Sequence, residues 1–110
     1  YFTWRSPIRE GKMKAYHTLE IPFAFDNVDE AKTMTGDGPE RYPLQDHVSG
    51  AWAAFARTGN PSHKGLPNWP AYKTEQRPTM ILNAECKVVN DPHHEERLAL
   101  AAVKRADAAV

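Results

Sequence analysis

Residues 44–58 constrain the fold more than any other stretch. Leu44, Val48, Ala51, Trp52 and Phe55 recur at i, i+4, i+7, i+8 and i+11, a spacing that lines one face of an α-helix. Pro43 suits the first turn and Arg57 the last, and Gly59-Asn60-Pro61 supplies a Gly-then-Pro stop. Gly50 costs about 1 kcal/mol against alanine inside a helix, which marks a close approach by another part of the protein. A stripe ending in Trp52 and Phe55 reads as core, and it must cover something large.

The rest of the chain offers little to cover. Six Leu, three Ile, six Val and four Phe make nineteen of 110 residues. A chain of this length suits one domain but buries only about two-thirds of its unfolded surface. The core is therefore expected to be thin and to complete a larger one. Disorder does not explain the shortage, because 14 basic and 14 acidic residues give a net charge of 0, and compositional disorder needs a high net charge. The same neutrality excludes an electrostatic nucleic-acid partner and a polybasic membrane-surface role. No apolar run approaches the roughly 18 residues of a membrane span. The chain has no initial Met and no charged-then-apolar leader, so no targeting signal is read.

Tyr1-Phe2-Thr3-Trp4 favours a strand that ends at Arg5-Ser6-Pro7. Residues 8–16 are basic and broken by Gly11, as in an exposed connection. Pro22 argues against a central strand, and residues 23–25 are expected to be extended or turn-like with Phe23 and Phe25 on one side. Residues 26–40 read as a polar surface loop, and 62–77 as a proline-rich one. Residues 79–83 and 86–90 form a hairpin whose Ala84-Glu85 link is a poor two-residue turn, so a bulge or longer loop is open. Asp91-Pro92 reads as N-cap and first residue of a last helix running to about residue 104, with Glu95 and Glu96 near its positive end.

The sequence asks for no metal or cofactor. Cys86 is alone, which excludes an intrachain disulfide and a two-cysteine metal site. It reads as a small buried hydrophobe in a strand. His93-His94 are neighbours about 100° apart on a helix, so they do not readily share one ion. His47 and His63 lack carboxylates or thiols at ligand spacing, and no glycine-rich phosphate loop occurs. Asn60-Pro61-Ser62 fails as a glycosylation acceptor because of its proline. His17 stands apart: it lies in a loop after a strand and a basic connection, ahead of a proline-and-aromatic anchor.

His17-Thr18-Leu19-Glu20-Ile21-Pro22-Phe23-Ala24-Phe25 resembles the catalytic-histidine segment of the type B carboxylesterases, the family of para-nitrobenzyl esterases, liver carboxylesterases and cholinesterases. Trp52-Ala53-Ala54-Phe55-Ala56-Arg57-Thr58-Gly59-Asn60-Pro61, followed by Trp69-Pro70, is similar to a second segment of that family. A weaker match runs from Met80-Ile81-Leu82-Asn83 to Arg97-Leu98. The resemblance implies an α/β class and the C-terminal part of an α/β-hydrolase fold, with sheet strands, a histidine loop and packing helices. Residues 1–110 would be one segment of that domain, without an internal boundary.

It also implies a hydrolase of small carboxylic esters in which His17 is the general base of a Ser-Glu-His triad. The serine of the G-x-S-x-G elbow and the Glu would lie upstream, so the segment alone is expected to be inactive. Met13, Tyr16 and Leu19 flank His17 and are candidates for lining the alcohol side of the pocket; ordinary loop packing is the equal alternative. Glu20 is read as a structural partner of the histidine loop. The family's secreted cholinesterases carry a cysteine near the position of Val103, and its absence implies a bacterial-type, disulfide-poor, cytoplasmic enzyme, with export left open. The expected partners are an ester substrate and the remainder of the parent chain. Two other readings stand beside this one: a non-catalytic, cholinesterase-like adhesion protein, and a self-associating fragment.

Overall fold

The structure, a computed structural model, describes residues 1–107, with side chains through residue 103. In chain order it contains a 3-10 turn (Ile8–Gly11), α1 (Ile21–Ala24), α2 (Lys32–Thr35), α3 (Arg41–Thr58), β1 (Pro78–Ile81), β2 (Lys87–Asn90) and α4 (His94–Asp107). Helix α3 is the long element that the apolar period requires. It begins at Arg41, so Pro43 falls within the first turn, where its missing N–H leaves no helical bond unmade. Gly59 ends it in the left-handed conformation (φ 74°), donating its N–H to the Phe55 carbonyl at 2.8 Å. Gly50 marks the expected close approach: a Cβ there would lie 2.8 Å from the His63 ring.

The core gathers Trp4, Leu19, Phe23, Val28, Leu44 and Val48 between the N-terminal segment, α1 and α3. Phe23 centres it, with the rings of Phe2 and Trp4 at 5.3 and 5.1 Å. Residues 21–24 turn helical rather than extended, with Pro22 in the first turn. Residues two apart then point about 200° apart, so Phe23 is buried while Phe25 is 76% exposed. The pair does not share a side.

Residues 26–40 are also more ordered in their packing than a surface loop. They hold α2 and bury Val28 and Thr35. Their anchor is Arg41, itself buried, which donates to the carbonyls of Gly38 (2.8 Å) and Val28 (2.9 Å), to Thr35 Oγ1 (3.3 Å) and to Asp29 (3.2 Å). A buried guanidinium is tolerated because its donors are satisfied.

β1 and β2 pair antiparallel, Thr79 opposite Val89 and Met80 opposite Val88, with a five-residue link over 82–86 in place of a tight turn. The N-terminal segment joins the β1 end of this ladder by one parallel bridge, Phe2 to Leu82, with Thr3 donating to the Leu82 carbonyl at 2.9 Å. Asp91 does not cap α4, which begins at His94. Its backbone is left-handed (φ 47°), and its carboxylate is taken by Arg97 at 2.8 and 2.7 Å and by the His94 ring at 2.5 Å.

The largest departure concerns Trp52 and Phe55, which are 64% and 56% exposed and not core. With Val48, Ala51, Pro61, Trp69 and Leu82 they line an open apolar groove of about 370 Å³. The helical period is right, but among the described residues nothing lies over the second half of the stripe.

Candidate active site

His17 occupies the corner of a reverse turn. The Leu19 N–H donates to the Tyr16 carbonyl at 3.2 Å, and Thr18, third in the turn, has φ 74°. That sign of φ is ordinary for glycine and rare for a β-branched residue, where it costs about 1–3 kcal/mol. The conformation is held from both sides. Downstream, Leu19 and Phe23 are wholly buried, and the Thr18 and Glu20 carbonyls accept from Ile21, Phe23 and Ala24 as α1 begins. Upstream, Tyr16 is half-buried against the core and donates its hydroxyl to the Met34 carbonyl at 3.3 Å.

The His17 side chain is exposed at this corner. Among the described residues no side chain hydrogen-bonds its ring, so a hydroxyl on one nitrogen and a carboxylate on the other could both reach it. Met13 lies on the neighbouring loop, 40% exposed. Leu19 is fully buried in the core and therefore presents no surface to a ligand. Glu20 is exposed and supports the loop through its backbone carbonyl, with no side-chain cap on α1.

The other histidines are dispersed. His93 packs edgewise on Tyr1 at 5.2 Å, and His94 faces Asp91. The fold does give His47 a thiol companion that its spacing in the sequence conceals: Cys86 Sγ lies 3.7 Å from His47 Nδ1. Cys86 is half-buried in the loop before β2 and also donates to the Asn83 carbonyl at 3.4 Å. His63 Nε2 lies 3.0 Å from the His47 carbonyl. Among the described residues no three His, Cys, Asp or Glu side chains converge as a metal site. Likewise, no described helix is long and apolar enough to cross a membrane.

The profile of the carboxylesterase family matches residues 2–101, which include the His17 turn, α3 and the hairpin. The chain belongs to the carboxylesterase family. It is 42% identical over 101 residues to the para-nitrobenzyl esterase of Bacillus subtilis (strain 168), covering 90% of this chain and 20% of that protein. Its structure matches a para-nitrobenzyl esterase with a TM-score of 0.78 at 40% identity, covering 88% of this chain and 20% of the other. A carboxylesterase of Geobacillus stearothermophilus matches with a TM-score of 0.73 at 37% identity, over 89% and 20% of the two chains. The chain thus spans about a fifth of the length of these carboxylesterase relatives. The two strands and the helices are part of the α/β-hydrolase fold those carboxylesterases share.

Proposed function

We propose that this chain is the histidine-bearing part of a serine carboxylesterase acting on small carboxylic esters. His17 is the general base: one ring nitrogen takes the proton of a serine hydroxyl as the serine attacks the ester carbonyl. The same nitrogen returns the proton to the leaving alcohol, while a carboxylate holds the other nitrogen. An imidazole suits the task because the same ring nitrogen can accept a proton and then give it back. The serine and the acid, a Glu, are supplied by sequence outside these residues, and the chain alone is inactive. Met13 borders the alcohol side of the pocket. The lack of a cysteine near Val103, where secreted cholinesterases carry one, supports a disulfide-poor, cytoplasmic setting.

One observation carries the reading: within a segment matched to the family, His17 projects from an anchored turn with its ring unengaged by the described residues. The groove along Trp52, Phe55 and Trp69 supports the companion proposal that the remainder of a hydrolase domain covers this face. In the full-length protein, His17→Ala is expected to lower kcat on a p-nitrophenyl ester about a thousandfold. Activity within tenfold of the parent refutes the assignment.

A further inference from the structure

The carbonyl oxygen of Met34 is a junction between two segments upstream of His17. Ser6 donates its hydroxyl to it at 2.6 Å, and Tyr16 donates at 3.3 Å. Met34 belongs to the single turn of α2, whose last carbonyls lack helical partners. Two lone pairs allow that oxygen to accept both hydroxyls. Ser6 is 1% exposed and tied at two further points: its N–H donates to the Lys14 carbonyl at 3.2 Å, and its Oγ accepts from the Ile8 N–H at 3.2 Å. Gly36 shows independently how closely Ser6-Pro7 is docked on the end of α2. Its φ is 70°, and a Cβ there would fall 2.7 Å from Pro7 Cγ.

We infer that Ser6 and Tyr16 are paired positioning residues that set the height and orientation of the His17 turn through the Met34 carbonyl. The inference rests on the reading of His17 as the base. Tyr16 then acts through its hydroxyl, which is committed to the end of α2. The turn needs such a tether. Its downstream flank is buried through Leu19 and Phe23, whereas its upstream flank emerges from the exposed connection over 12–15. A general base works only when held within about half an ångström of its productive place, and no described side chain bonds the His17 ring itself.

The test uses the full-length esterase with 15N-labelled histidine and the variants Tyr16→Phe, Ser6→Ala, their double and His17→Ala. Tyr16→Phe and Ser6→Ala are each expected to lower kcat about three- to tenfold with KM unchanged. Both should shift the apparent pKa of the kcat/KM profile and move the His17 ring resonances. The double variant should lose less than the product of the singles, since both hydroxyls share one acceptor. Unchanged kcat, pH profile and His17 resonances in both single variants overturn the inference. If His17→Ala stays active while Tyr16→Phe still moves the His17 resonances, the catalytic reading falls and the tether stands.

Discussion

Arg41 shows how one charged side chain organises a segment that polarity alone would leave as loop. Four acceptors from residues 28–38 surround its guanidinium. Asp29 is held below its ordinary carboxylate value, first by the Tyr42 hydroxyl and then by Arg41. Truncating Arg41 to alanine removes its four hydrogen bonds and empties a buried space, so stability should fall by about 2–4 kcal/mol in a urea titration. A loss under 1 kcal/mol would show that the segment holds without it. Sequence reading missed this anchor because two of its four acceptors are backbone carbonyls, which no residue pattern displays. The Ser6–Met34–Tyr16 junction is hidden for the same reason. His17, by contrast, is proposed on its segment's resemblance, and physics alone marked only its loop setting.

Among the elements, α3 was the most legible, because an apolar period and a Gly59 stop are local properties. The start of α4 was not. Asp91 has the chemistry of an N-cap, but the paired N–H donors of Arg97 compete for its carboxylate and win. Those donors, followed by His94, hold the Asp91 carboxyl well below its ordinary value. A carboxyl depressed in the folded state stabilises the fold above its unfolded value, near 4, and loses that contribution as pH falls. The melting midpoint of the protein should therefore drop between about pH 5 and pH 2, and drop less in Asp91→Asn. Equal acid sensitivity in the two would show that the Asp91–Arg97 link between hairpin and helix adds nothing. Residues 21–24 turned out helical, which the sequence did not show because the run is too short for its proline and spacing to separate a turn from an extended strand.

At the scale of the molecule, the aliphatic shortage becomes geometry. The radius of gyration is 16.3 Å within extents of 50 × 36 × 21 Å, against about 13 Å for a compact domain of this length. The chain is a slab with one buried cluster and an apolar face carrying Trp52 and Phe55. Sequence reasoning set those two residues in a core, which the helix period supports, but the surface they would meet is not among the described residues. The isolated chain is expected to self-associate and bind an apolar dye, and Trp52→Glu with Phe55→Glu should reduce both. A dye-free monomer in sedimentation would contradict an exposed docking face.

The general-base role of His17 is tested most directly by chemical rescue. In the full-length His17→Ala protein, hydrolysis of a p-nitrophenyl ester would be followed with and without added imidazole. The expected result is a loss of about a thousandfold, partly restored by imidazole acting in place of the missing ring. A variant that keeps activity within tenfold of the parent without imidazole would contradict the assignment.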